Sequence, residues 1–251
     1  MKTVAMIPAR MGSSRFPGKP LAPILGRPMI EHVYRRTALC ADLADTYIAT
    51  CDDEIRTACE AFGAGVIMTS DRHERASDRI AEAMQHVDAD VAVLVQGDEP
   101  MTHPEMISQA VAPFREEAGI QCVNLTKPIE DEAEFQSPDT IKVVMDGKGF
   151  ALYMSREPVP TRDKFPFGDI PAFKQVCIIP FTRESLALYA NLDPTPLEVA
   201  ESIDMLRFIE NGIGVRMVET GYETWAVDRP DDLVRVEKLL ADDPMTKTIL
   251  E

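Results

Sequence analysis

Strand-like and helix-like segments alternate along the chain from Thr3 to Phe114, and this alternation constrains the fold more than any other feature. Thr3 to Pro8 is a short apolar run, partly β-branched, that ends in Pro8 and Arg10 as a buried strand entering a loop does. Behind Pro28, the apolar residues Met29, Ile30, Val33 and Tyr34 fall at helical spacing to about Leu39. Thr46 to Cys51 reads as a strand, Asp53 to Phe62 as a helix ended by Gly63, Gly65 to Thr69 as a strand and Asp78 to His86 as a helix. Val91 to Val95 is the least ambiguous strand, an unbroken apolar run entering Gln96-Gly97-Asp98-Glu99-Pro100, and Pro104 to Phe114 returns as a helix. This order predicts an α/β fold of Rossmann-like form, a mostly parallel sheet covered by helices on both faces. Its ligands would sit beyond the carboxyl ends of the strands.

After residue 120 the rhythm changes. Gln121 to Thr126, Ile141 to Met145 and Ala151 to Met154 read as strands, the last two joined by the turn Asp146-Gly147-Lys148-Gly149. That hairpin marks an antiparallel insertion, and the polar, proline-containing segment Thr161 to Ala172 reads as a loop near a ligand or a partner subunit. Leu197 to Asn211 is predicted as one helix ended by Gly212, Val215 to Thr220 as a late strand and Pro230 to Leu240 as the closing helix. The expected organisation is one domain over 1–251, with residues 1–120 binding a nucleotide and an insertion at about 140–210.

Composition narrows the function. A formal net charge of −16 argues against nucleic acid as a partner, since phosphate backbones are held by clustered Lys and Arg. No apolar run is long enough to span a bilayer, and the opening residues reach Pro8 and Arg10 too soon for a signal peptide, so a cytoplasmic protein without a membrane partner is expected. The five cysteines lack CxxC spacing, which fits reduced, structural thiols and not a zinc site. Cys51 and Cys177 have no His in a recognisable partner motif, and His73 has no companion at metal-ligand spacing, so it reads as a loop hydrogen-bonder.

Chemistry concentrates in the loop after the first strand. Arg10-Met11-Gly12-Ser13-Ser14-Arg15-Phe16-Pro17-Gly18-Lys19-Pro20 gathers cations, hydroxyls and glycines beyond a strand end in an otherwise acidic chain. Glycines let backbone N–H groups approach phosphate oxygens, while Arg15 and Lys19, read as exposed cations, would neutralise charge growing on a leaving pyrophosphate. Neither GxxxxGK[ST] nor GxGxxG spacing is present, which removes support for kinase and dehydrogenase readings.

Ile7-Pro8-Ala9-Arg10, the Ser-Ser-Arg-x-Pro-Gly-Lys-Pro-Leu stretch and Gly26-Arg27-Pro28-Met29-Ile30 resemble the start of the 3-deoxy-manno-octulosonate (Kdo) cytidylyltransferases. The resemblance continues at Val95-Gln96-Gly97-Asp98-Glu99-Pro100, Lys142-Val143-Val144, Ala151-Leu152-Tyr153-Met154-Ser155-Arg156 and Val227-Asp228-Arg229-Pro230-Asp231-Asp232-Leu233. It implies a nucleotidyltransferase fold, CTP as donor, a small acidic acceptor, Mg²⁺ and a homodimer built through the inserted region. It implies Asp98 and Asp228 as the magnesium pair, which without it would read as turn and cap residues. Arg10 and Ser13 would lie along the nucleotide, Ser77 and Arg79 near the base, and Gln96 between nucleotide and acceptor, although Gln96 reads equally as a strand-end polar side chain.

The chain departs from that pattern in places. The family's His-x-Ser-Gly-Thr-Asp/Glu-Arg is His73-Glu74-Arg75-Ala76-Ser77-Asp78-Arg79 here, with Ser77 able to replace the threonine hydroxyl. Its Lys-His-x-Gly-Ile-Tyr becomes Lys174-Gln175-Val176-Cys177-Ile178-Ile179, and its Glu-x-Leu-Glu-Gln-Leu-Arg becomes Glu201-Ser202-Ile203-Asp204-Met205-Leu206-Arg207. Gln175, Asp204 and Met205, with Ile179, therefore stand as acceptor-side positions, and the exchanges predict an anionic acceptor other than unmodified Kdo. Arg156 would take an acceptor carboxylate or serve in a structural ion pair. Three classes follow: CMP transfer to a 2-keto-3-deoxy sugar acid, CMP transfer to a non-sugar acid such as a phosphonate, or a non-catalytic nucleotide-binding regulator.

Overall fold

The computed structural model describes residues 1–12 and 16–250, which form two compact units, Met1–Ser108 with Tyr222–Glu251, and Gln109–Gly221. The last thirty residues belong to the first unit.

In the first unit the strands are β1 (Thr3–Ala9), β2 (Asp45–Thr50), β3 (Gly65–Met68) and β4 (Val91–Val95), with helices α1 (Met29–Ala38), α2 (Asp53–Ala61), α3 (Ala76–Met84) and α4 (Pro104–Val111) after them in turn. These four strands pair in parallel in the order β4-β1-β2-β3, and the short segments Pro23–Ile24 and Arg27–Pro28 form a separate antiparallel pair. Val91–Val95 is buried throughout and β1 nearly so, as an apolar run sandwiched between helix layers must be. From β1 the chain winds outward through β2 to β3, then crosses back by α3 to pair β4 on the other side of β1. The winding direction therefore reverses between β1 and β4, and a crevice opens beyond their carboxyl ends.

Gly97 allows these two ends to meet. A Cβ there would lie 2.7 Å from the Pro8 carbonyl oxygen, closer than any side chain tolerates. The returning segment packs Val227, Val236 and Leu240 onto Ile24 and Met29, which fixes the loop that precedes the helix Pro230–Asp242. Arg36 on α1 ties this end down by donating to Asp243, Thr246 and the Thr102 carbonyl.

The second unit holds a mixed sheet of β5 (Val123–Pro128), β6 (Lys142–Met145), β7 (Ala151–Ser155), β8 (Phe173–Val176) and β9 (Arg216–Glu219), in the order β9-β5-β8-β6-β7. Only β9–β5 is parallel. The expected helix Leu197 to Asn211 is two helices, Pro196–Glu201 and Met205–Glu210, because Ser202 turns left-handed at φ 56°. A buried pair stabilises the break: Arg207 donates two hydrogen bonds to Glu198 and lies over the Tyr189 ring. The expected Pro104 to Phe114 helix likewise stops at Val111 before a separate turn begins at Pro113, and Pro244–Leu250 adds a terminal helix not predicted. Among the described residues, no helix is long and apolar enough to cross a membrane.

Candidate active site

A cleft of about 300 Å³ lies at the carboxyl ends of β1 and β4, in the first unit. Arg10 enters it from the end of β1, Gln96, Gly97 and Asp98 from the end of β4, and Asp228 from the loop before the closing helix. Arg79 and the segment His73 to Ala76 form another wall. Gly18, left-handed at φ 72°, donates its N–H to the Met11 carbonyl and turns the chain back so that Lys19 also faces the cleft.

At its centre, Lys19 Nζ donates to Asp98 Oδ2 at 2.7 Å and lies 3.6 Å from Asp228 Oδ1. The Lys19 side chain is only 12% exposed, which corrects the expectation of an exposed loop cation. The alternative role of Asp228 as a helix cap is filled by Asp232, whose carboxylate accepts the N–H groups of Asp228 and Arg229. Asp98 in turn receives the Val227 N–H on its carbonyl oxygen, so one backbone hydrogen bond sets the spacing of the two carboxylate loops.

Arg79 and Glu82 project from the same side of α3 and grip the loop before it. Arg79 donates to Thr69 Oγ1 at 2.6 Å and to the carbonyls of Ser70 and His73. Glu82 accepts from the Ser70 N–H and bonds His73 Nε2. Burial pushes the Glu82 carboxyl up, but these hydrogen bonds outweigh it and hold the group below its ordinary value. His73 is thus a hydrogen-bonding loop residue that faces the cleft. Ser77 is buried in the first turn of α3, outside the cleft lining.

Ser13 and Arg15 lie outside the described residues. Of the acceptor-side candidates, all in the second unit, Met205 is fully buried beside Cys122 Sγ and Ile179 is 3% exposed, so both pack the interior and neither offers a surface to a ligand. Gln175 donates to Asn124 Oδ1, and Asp204 precedes the helix Met205–Glu210. Arg156 spends its guanidinium on the carbonyls of Glu201, Pro138 and Ser202, while its backbone N–H donates to the Glu201 carboxylate, a structural clasp. Sequence reasoning missed Glu74, Arg75 and Gly97 in the cleft and Asp52, which accepts the Met11 N–H. A glycine two residues past the strongest strand was the available signal for Gly97. No cysteine lines the cleft, and burial pushes the Cys59 thiol up to about 12 and Cys122 above its usual range, which leaves neither nucleophilic.

Among the described residues there is no cluster of three or more metal-ligating side chains. Asp98 and Asp228 form a two-carboxylate set that converges on one cationic centre, here the Lys19 ammonium. Such a set fits a hard divalent cation that completes its shell with phosphate oxygens and water.

The family model for cytidylyltransferases matches residues 4–219. With the parallel sheet and its switch-point cleft, it defines the class: a CTP-dependent nucleotidyltransferase. Relatives named 3-deoxy-manno-octulosonate cytidylyltransferase come from Geobacter metallireducens, 45% identical over 95% of this chain and 98% of its own, and from Geobacter sulfurreducens, 44% identical over 95% and 100%. The solved structure of CMP:2-keto-3-deoxy-manno-octonic acid synthetase complexed with CTP superposes with a TM-score of 0.90 at 39% identity, covering 96% of this chain and 99% of that one. A cytidylyltransferase structure from Leptospira borgpetersenii, 17% identical with a TM-score of 0.66 over 98% of this chain and 89% of its own, shares the fold. The chain belongs to the 3-deoxy-manno-octulosonate cytidylyltransferase family.

Proposed function

We propose that the protein transfers CMP from CTP to Kdo or a close 2-keto-3-deoxy relative, releasing pyrophosphate, and that it does so with Mg²⁺ and as a homodimer. The observation that carries this reading is the convergence of Lys19, Asp98 and Asp228 at the switch-point cleft. Near-full-length identity to relatives named for Kdo supports that acid or a close variant as acceptor.

In the reaction, an acceptor hydroxyl gives up its proton to solvent as its oxygen bonds to the α-phosphorus, the bond from that phosphorus to the bridging oxygen breaks, and pyrophosphate leaves with the electron pair. Little covalent work falls to the protein, so positioning and charge stabilisation dominate. Arg10 and Lys19 supply positive charge along the phosphates, and Arg15 in the same loop is assigned to the leaving group. Arg79 acts through the loop it holds, since its guanidinium donors are engaged by Thr69, Ser70 and His73. Gln96 lines the cleft just past the end of β4, suited to orient the acceptor. Asp98 and Asp228 would hold Mg²⁺, which would supply positive charge to offset that of the phosphates and of the acceptor oxygen. Pyrophosphate release with CTP and Mg²⁺, measured over Kdo, amino-substituted Kdo, sialic-type acids and phosphonates, tests the proposal. Release only with phosphonates, or with none of these acceptors, would refute it.

A further inference from the structure

Lys19 Nζ stands 2.7 Å from Asp98 Oδ2 and 3.6 Å from Asp228 Oδ1, in a cleft where its side chain is 12% exposed. Two carboxylates aimed at one point repel each other, and the ammonium between them offsets that repulsion. A divalent cation held by the same oxygens would bring a second, larger positive charge against the ammonium, so the two cations compete for one position. The backbone at Lys19 is fixed by the left-handed Gly18 and by the short helical turn Lys19–Leu21, whereas the four-carbon stem is free to re-aim its charge. A triphosphate entering beside Arg10 offers that ammonium an alternative set of anionic partners.

We propose that Lys19 is an internal counter-cation that closes the Asp98–Asp228 pair to divalent cations until nucleotide phosphates draw its ammonium away. Metal is therefore taken up with the nucleotide and not ahead of it. The proposal rests on the metal role of the two carboxylates and adds an order of binding set by one side chain. It also gives Lys19 two successive partners, the carboxylates first and the phosphates second. A lysine suits this exchange better than an arginine, whose planar fork is made for one fixed bidentate geometry.

The test is Mn²⁺ binding to the whole protein, followed by the electron paramagnetic resonance of free Mn²⁺ without nucleotide. Lys19→Met and Lys19→Gln keep most of the stem and remove the charge. Both should bind Mn²⁺ about tenfold or more tightly than the parent, the scale on which a partly buried ion pair acts. Adding Asp98→Asn to Lys19→Met should abolish the gain. Equal affinity in the parent and both variants, or a gain that survives Asp98→Asn, overturns the counter-cation role. The underlying metal assignment is judged separately, by whether Asp98→Asn alone weakens Mn²⁺ binding when CTP is present.

Discussion

Gly97→Ala tests how the cleft is built. The added Cβ would meet the Pro8 carbonyl oxygen at 2.7 Å, Ile30 Cδ1 at 3.3 Å and Ile7 Cγ2 at 3.5 Å. The isoleucine contacts can relax by small rotations. The Pro8 oxygen cannot, because it belongs to the backbone of the central strand, whose partners on both sides hold it in register. Relief must come from parting the ends of β1 and β4, at an overpacking cost of about 1–3 kcal/mol. For a chain of this size that corresponds to a fall in Tm of roughly 2–12 °C. The same movement displaces Gln96 and Asp98 relative to Arg10, and a misplacement of about 1 Å can cost on the order of a hundredfold in rate. Turnover should therefore fall further than stability does. Thermal unfolding by circular dichroism and steady-state pyrophosphate release, measured on one preparation, read both quantities. A variant melting within about 1 °C of the parent with normal kcat/KM would refute the view that this contact sets the cleft.

Asp98→Ala and Asp228→Ala should each remain folded and lose at least about a hundredfold in turnover at saturating CTP; near-normal turnover in either folded variant would remove that residue from the metal site. Glu198→Ala removes the carboxylate that pairs with Arg207, 3% exposed, and should cost about 3–5 kcal/mol in urea unfolding, much of which Glu198→Ala with Arg207→Met should restore. No loss in the single variant would show that the pair does not stabilise the second unit. The Glu82 carboxyl is held below its ordinary value in the folded protein, so its contribution is present above the unfolded value and lost as pH falls through the folded one. Glu82→Gln should accordingly raise KM for CTP with little change in kcat and flatten the loss of CTP affinity toward acid pH; an unchanged KM and acid limb would show that the grip on His73 does not shape the nucleotide wall.

The legible parts of the fold were those with local causes. Val91–Val95 is apolar at every position because both faces of the strand are covered, and α1 carries its start signal in Pro28 and its buried stripe in Met29, Ile30 and Val33. The break at Ser202 has no such local mark. It depends on Glu198 reaching Arg207 across it, and an apolar pattern continuing through Ile203 and Met205 reads as unbroken helix. At the site, the loop from Arg10 to Lys19 announced phosphate chemistry through its composition, whereas the meeting of Lys19 with Asp98 and Asp228 joins residues far apart in the chain. Resemblance to a family marked those two carboxylates; their convergence on Lys19 is visible only in three dimensions. Met205 illustrates the limit: an apolar residue inside a motif looks the same in sequence whether it lines a pocket or fills a core, and only the structure shows it buried beside Cys122.

The central claim, CMP transfer to a 2-keto-3-deoxy sugar acid, is tested most directly by ³¹P NMR of the reaction with CTP, Mg²⁺ and Kdo or its amino-substituted relative, with ATP, GTP and UTP as parallel donors. The account predicts loss of the CTP resonances with equal formation of a single phosphodiester signal and free pyrophosphate, from CTP in strong preference to the other donors. CTP left intact with both acids, or cleaved to CDP and phosphate, would contradict it.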